Sequence, residues 1–168
     1  MSFVPMRAED LTENVFSQIG KNWFLVAAGT EKQHNAMTVS WGGLGVLWGK
    51  NVVTLYLRQS RYTKEIIDRE GLFTLSSLGP QYRRALSICG SKTGRDCDKF
   101  TEAGLTPYYT DGTTAAAQAA HILVCRTVYS ALLDPKHFID PEAETKWYAD
   151  HDWHSIYIGE ILRVLTEK

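Results

Sequence analysis

From Trp23 onward the sequence changes its hydrophobic period. Residues 23–28, 36–41, 52–58, 72–78, 121–132 and 153–165 are rich in Val, Ile, Leu, Thr and aromatic residues, with Gly, Asn or Asp between several of them. These six runs read as strands. In the run 52–58, Val53, Leu55 and Leu57 alternate with Val52, Thr54, Tyr56 and Arg58, which gives one apolar and one mixed face. Such a strand is half buried. Shorter helical patterns interrupt the strands at 61–70, 80–87 and 93–103, the last with Thr93 and Asp96 at the spacing of an N-terminal cap pair. Before them, Leu11, Val15 and Ile19 predict an opening helix over 9–19. Two proline-led turns fall at 135–139 and 141–147. Strands that outweigh short helices, without strict strand–helix alternation, predict a mainly β fold with peripheral α. An antiparallel barrel fits better than a doubly wound sheet.

The chain of 168 residues is 44% hydrophobic, enough for a single domain over residues 1–168. A chain this long buries roughly 70% of its unfolded surface, so the core requires no disulfide or metal staple. Cys89, Cys97 and Cys125 are odd in number and lack CxxC spacing, which suits a reducing, cytoplasmic setting. With 18 Lys and Arg against 19 Asp and Glu, the charge balance excludes the basic footprint of a nucleic-acid binder. No run approaches the roughly 20 apolar residues of a membrane-spanning helix, and the first residues carry no apolar leader. The expectation is a soluble, untargeted protein with neither nucleic-acid nor membrane partners.

Two phosphate-binding motifs fail on spacing. In Gly42-Gly-Leu-Gly-Val-Leu-Trp-Gly49, a dinucleotide fingerprint begun at Gly43 requires glycine where Trp48 stands. A P-loop ending at Gly49-Lys50 requires Ser or Thr where Asn51 stands. These glycines read instead as a tight strand connection. His151 and His154 sit at a strand entry, where residues three apart face opposite ways, and no Cys or carboxylate cluster completes a metal shell. No metal site is expected.

Arg58-Gln-Ser-Arg-Tyr-Thr-Lys64 places two guanidinium groups and hydroxyls where a strand hands over to a helix. Ser60 is placed to cap the helix, and Arg58 and Arg61 present forked donors that match phosphate oxygens. The plainer alternative is a capped helix with solvated arginines. A second polar stretch, Ser87-Ile-Cys-Gly-Ser-Lys-Thr-Gly-Arg95, reads as a Gly-containing loop able to close on the same anion. A third, Asn35-Ala-Met-Thr-Val-Ser-Trp41, sets Thr38 and Ser40 on one strand face and Met37, Val39 and Trp41 on the other. Such an edge can carry a flat amphipathic ring, although core packing by itself also accounts for Met37 and Trp41.

Taken in order, these strings resemble the flavin reductase-like, FMN-binding split-barrel family, and its flavoredoxin-like branch above all. Further shared strings are Trp23-Phe-Leu-Val-Ala-Ala-Gly29, Asp98-Lys-Phe100, Ala103-Gly-Leu105 and Trp153-His-Ser-Ile-Tyr-Ile-Gly-Glu-Ile161. The resemblance implies a six-stranded antiparallel split β-barrel, a homodimer, and FMN held noncovalently near the subunit interface. It implies that Asn35, Met37, Thr38, Val39, Ser40 and Trp41 line the ring and ribityl chain. Arg58, Ser60, Tyr62 and Thr63 would hold the phosphate, and the loop with Ser87, Cys89, Gly90, Ser91 and Lys92 would close the pocket. His154 would stand near the active face as the one weak candidate for a catalytic role.

The implied activity is that of an oxidoreductase passing reducing equivalents from NAD(P)H through FMN to an acceptor. The redox chemistry would belong to the flavin, so no catalytic acid is obligatory. Lys92 is open to three readings: a charge near the ring carbonyl, a phosphate ligand, or a solvated lysine. Two alternatives to the enzyme remain, a flavoredoxin-like carrier reduced by a protein partner and a ligand-binding barrel without redox function.

Overall fold

A computed structural model describes residues 2–168. Ten strands occur among them: β1 (Phe3–Met6), β2 (Phe24–Thr30), β3 (Gln33–Val39), β4 (Gly42–Leu47), β5 (Lys50–Arg58), β6 (Leu72–Leu78), β7 (Pro107–Thr110), β8 (Thr113–Ala116), β9 (Ala119–Leu132) and β10 (His154–Glu167). The main sheet runs β3-β2-β6-β9-β10-β5-β4, with β1 paired to the far half of β10, and β7 and β8 form a separate hairpin. Every pairing is antiparallel. β3 and β5 come against each other where the sheet curls but exchange no ladder, so the barrel is split. The six strands read from sequence are six consecutive members of this sheet.

Both faces of the sheet are covered, which explains why residues 24–28 form an unbroken apolar run instead of an alternating one. Phe24, Val26 and Ala28 of β2 join Leu55, Leu57, Phe73 and Tyr157 inside the barrel. Leu25 and Ala27 join Leu86, Phe100 and Ala115 under the outer layer of helices and the β7–β8 hairpin. Gly159 in β10 is obligatory for space, because a Cβ there would overlap the Phe73 ring that fills the barrel.

Several sequence expectations are corrected. The opening helix over 9–19 is broken into a turn at Ala8–Asp10, the short α1 (Val15–Ser17) and a wide π turn at Gln18–Asn22. The Asn14 side chain accepts from the Ser17 amide and starts the helix late, while Leu11, Val15 and Ile19 still turn toward the barrel. The glycine-rich stretch contains a strand, β4, which the expected six did not include. Trp48 and Gly49, at φ 52° and 70°, make its two-residue turn into β5.

The remaining helices are α2 (Tyr62–Glu70), α3 (Arg83–Ser91), α4 (Lys99–Ala103) and α5 (Pro141–Trp147). The expected loop from Ser87 therefore begins as the last turn of α3. Ala85, Leu86 and Cys89 form a buried stripe that carries this helix past residue 87. Likewise Asp98, not Thr93, caps α4: its carboxylate accepts from the Phe100 amide at 3.0 Å, and residues 93–97 are loop. Among the described residues no helix is long and apolar enough to cross a membrane.

Candidate functional site

Two cavities meet at Arg61, the one residue among those described that lines both. The first, about 210 Å³, lies between residues 37–41, Tyr56 and Arg58 of β5, Trp147 and His154. The second, about 350 Å³, lies between residues 60–63 and the segment from Ser91 to Lys99. A separate apolar cavity of about 310 Å³ sits under the N-terminal segment against Leu11, Val15 and Phe24, and none of the expected site residues lines it.

The first cavity is built on a sheet edge. β3 ends the strand order and is laddered to β2 alone, so its other edge carries unpaired amides and carbonyls. Met37 and Val39 are each 4% exposed because their side chains point into the barrel, which leaves their backbone to face the cavity. The Thr38 hydroxyl donates to the Leu86 carbonyl at 2.5 Å, tying the edge to α3. Trp41 stands edge-on to Trp147, ring centres 5.0 Å apart, and 5.1 Å from His154. The result is an aromatic slot beside free backbone donors and acceptors.

A strap formed by residues 133–153 closes this slot, and Arg58 fastens it. One guanidinium nitrogen donates to the Asp152 carbonyl at 2.9 Å and pairs with Asp150 at 3.3 Å; the other donates to the Trp147 carbonyl at 2.9 Å. Ser60 does the same work nearby, its hydroxyl donating to the Asp152 carboxylate at 2.6 Å and its amide at 3.1 Å. Both residues differ here from the sequence expectation. Arg58 lines the ring-sized cavity, not the cation-lined one, and Ser60 is spent on Asp152 instead of capping α2. The acceptors that claim them lie about ninety residues away in sequence, beyond the reach of any local pattern.

The second cavity opens on the start of α2. Arg61 holds the N-cap position with φ −76° and ψ 122° but makes no side-chain cap bond, so the amides of Tyr62 and Thr63 border the cavity uncapped. That is the electropositive end of the helix. Arg61 Nη1 donates to the Gly90 carbonyl at 2.7 Å, and its burial, with Arg58 nearby, disfavours the charged form. Arg95 donates to the Ser60 carbonyl at 3.0 Å and pairs with Glu65, and Lys92 pairs with Glu102. Lys99 reaches the cavity from beneath, buried, its ammonium 2.8 Å from the Cys89 carbonyl.

Of the expected site residues, 37–41, Arg58 and His154 thus share the first cavity, and Ser60, Tyr62, Thr63, Ser91 and Lys92 share the second. Asn35 lies behind them, its amide donating to the Thr63 hydroxyl at 2.9 Å. Gly90 reaches the site through its carbonyl. Cys89 is buried in α3, and burial pushes its thiol up to about 11. Ser87 lines neither cavity: its exposed hydroxyl donates back to the Arg83 carbonyl at 3.0 Å. Tyr56, Trp147, Arg95 and Lys99 were not singled out from sequence, because aromatics and cations of this kind read equally as core and as solvated surface.

His154 is held neutral. Burial first, then the positive charges of Arg58 and Arg61, bring its pKa down to about 4, and the Tyr148 hydroxyl lies 2.9 Å from Nδ1. A neutral imidazole can orient or hydrogen-bond a ligand at pH 7 but supplies no proton there.

The residues present fit a planar ring carrying a phosphate: an aromatic slot with a free backbone edge leads directly into a cation-lined helix start. Glycine makes that junction close. A Cβ at Gly94 would overlap the Asn35 side chain, so the loop 92–98 lies on β3 only because residue 94 has none.

An open antiparallel barrel with its cleft at the strand-to-helix handover places the molecule among the split barrels. Residues 16–168 match the family model described as flavin reductase like domain, and the chain belongs to that family. Among solved structures it resembles an FMN-binding domain of a flavin reductases-like enzyme from Shewanella baltica, at 13% identity and TM-score 0.68, covering 98% of this chain and 77% of that one. Flavoredoxin of Desulfovibrio vulgaris (Miyazaki F) gives 20% identity and TM-score 0.69, with 97% and 78% covered. Nitrilotriacetate monooxygenase component B from Bacillus cereus gives 14% and 0.69, with 96% and 80% covered. No match was found among curated proteins.

Proposed function

We propose that this chain, acting as one unit over residues 1–168, is an FMN-dependent oxidoreductase that passes reducing equivalents from NAD(P)H to an acceptor. The observation that carries the reading is the junction at Arg61, where a ring-sized aromatic slot runs into an uncapped, cation-lined helix start. Family membership and the FMN-binding neighbours support the same cofactor.

FMN, when bound, supplies the hydride chemistry. The chain's own part is to hold and shield it. The free edge of β3 at residues 37–39 would offer backbone groups to the ring's polar rim, and Trp41, Trp147 and His154 would exclude water from its surroundings. Arg61 and the amides of Tyr62 and Thr63, with Lys92 and Arg95 beside them, would hold the phosphate. Arg58 and Ser60 position the strap that carries Trp147.

A homodimer belongs to this reading. Phe16 is 88% exposed, Val46 71% and Trp48 68%, while Phe16 and Trp41 line an apolar depression beside the ring cavity. A second copy seated there would cover this apolar face.

A second reading, a flavoredoxin-like carrier reduced by a protein, draws on Trp147, which packs edge-on to Trp41 and narrows the approach to the ring slot. Anaerobic mixing of the FMN complex with NADH or NADPH tests the two. Rapid bleaching of the flavin band supports the enzyme. No bleaching with either nucleotide, alongside reduction by a ferredoxin-like protein, transfers the assignment to the carrier.

A further inference from the structure

Lys99 is the first residue of α4, yet it is only 3% exposed. Its ammonium has three donors, and the Cys89 carbonyl at 2.8 Å takes one of them. No carboxylate lies within ion-pair distance of it among the described residues. A buried cation with a single neutral acceptor is an expensive arrangement unless something else meets its charge. The same side chain lines the second cavity, so an anion seated there is within its reach.

The surrounding charges do not supply that partner. From the start of α2 comes Arg61, a like charge; from α3 comes the Cys89 thiol; from the preceding loop comes Cys97. Across the cavity, Lys92 is engaged by Glu102 and Arg95 by Glu65, which leaves Asp96 as the cavity's one lining carboxylate.

We infer that Lys99 is a specificity residue for the phosphorylated flavin: its buried ammonium, which lines the second cavity with one neutral acceptor, binds the phosphate. The inference rests on the function proposed above and adds to it a named discriminator between FMN and riboflavin. Burial, the largest influence, lowers the Lys99 pKa to about 8; the Cys89 and Cys97 thiols oppose this, and Arg61 adds to it. A dianionic phosphate stabilises the protonated form and raises that value in the complex.

Near pH 7 the free protein already carries the proton on Lys99, and FMN affinity changes little with pH. Above pH 8 the proton must be taken from solvent, so the FMN Kd rises by up to about tenfold per pH unit until the pKa of the complex is reached. The phosphate's own second ionisation, near pH 6, lies outside the range.

The test is fluorescence titration of the wild-type protein with FMN and with riboflavin from pH 7 to 9.5, together with calorimetry in two buffers of different ionisation enthalpy. The ratio of riboflavin to FMN Kd cancels the titration of the shared ring. We expect that ratio to fall about tenfold or more between pH 7.5 and 9.5, with close to one proton taken up at pH 9 and close to none at pH 7. In Lys99→Arg the ratio becomes independent of pH, because guanidinium keeps its proton. In Lys99→Met it is small and equally flat. A wild-type ratio at pH 7.5 no larger than that of Lys99→Met overturns the role of Lys99 while leaving FMN binding intact; a wild-type ratio flat to pH 9.5, with no proton uptake at pH 9, overturns the coupled protonation. If neither flavin binds at any pH, the proposed function fails and this inference fails with it.

Discussion

The Asn35 side chain in β3 donates to the Thr63 hydroxyl in α2 across 2.9 Å, with both groups buried. Twenty-eight residues separate them in the chain, and this bond ties the sheet edge of the first cavity to the helix start of the second.

Cutting either partner strands the other away from water. Asn35→Ala and Thr63→Val should each cost about 1–3 kcal/mol, and the double variant less than their sum. Urea denaturation of the four proteins measures this. Fully additive losses would show that the two side chains do not depend on each other.

Arg61 and Arg58 should separate by ligand. Arg61→Ala is expected to weaken FMN about tenfold or more and riboflavin far less, since one charge-assisted hydrogen bond contributes about 1.5–3 kcal/mol. Arg58→Ala, which frees the strap at Trp147 and Asp152, should weaken both flavins alike and speed proteolysis between residues 133 and 153. Parallel titrations with the two flavins, and a timed digest, check both. An Arg58 variant that loses FMN selectively would return that residue to the phosphate end.

Trp147→Ala removes the edge-to-face partner of Trp41. The expected effect is a roughly twofold to tenfold loss for FMN and riboflavin equally, the size of one aromatic contact. It is read in the same titrations, and no change in either flavin would place Trp147 outside the ring's surroundings.

His154 makes stability depend on acid. Its pKa is lowered to about 4 in the folded protein, so between pH 6.5 and 4 the unfolded chain binds the extra proton. Stability attributable to this residue is complete above pH 6.5 and is lost as pH falls toward 4. Thermal melts at pH 7, 5.5 and 4.5 should show a smaller decline in His154→Asn than in the wild-type protein; parallel declines would remove His154 as the source.

Gly159→Ala drives a methyl group into the Phe73 ring. Overpacking of this kind typically costs about 1–3 kcal/mol, and a lowered denaturation midpoint with an unchanged m-value is the expected result. Gly159→Ala combined with Phe73→Leu should recover part of the loss.

The six strands were legible because burial of one face leaves alternating apolar residues and burial of both leaves an unbroken apolar run, and either pattern stands out in the order of residues. β4 was not: Gly42, Gly43 and Gly45 carry no side chain to report a period, and only pairing with β5 makes that segment a strand. The last turn of α3 was missed for a related reason. Gly90 and Ser91 read as loop residues, and the stripe that holds them helical is completed by contacts with the sheet. At the site, the strand-to-helix handover was visible as a cluster of cations and hydroxyls. Which of those groups were already committed was not, because Arg58 and Ser60 are claimed from the distant strap. Lys99 left one trace in the sequence: it precedes Phe100 in a short capped helix whose inner face is apolar, which brings its stem along with the buried ring.

Direct titration of purified protein with FMN tests whether a phosphorylated flavin occupies the joined cavities at Arg61. The expected result is saturable binding at micromolar or tighter concentration, one FMN per chain, with riboflavin bound more weakly. Well-folded protein that leaves micromolar FMN free in solution, or binds both flavins with equal affinity at pH 7, would contradict it.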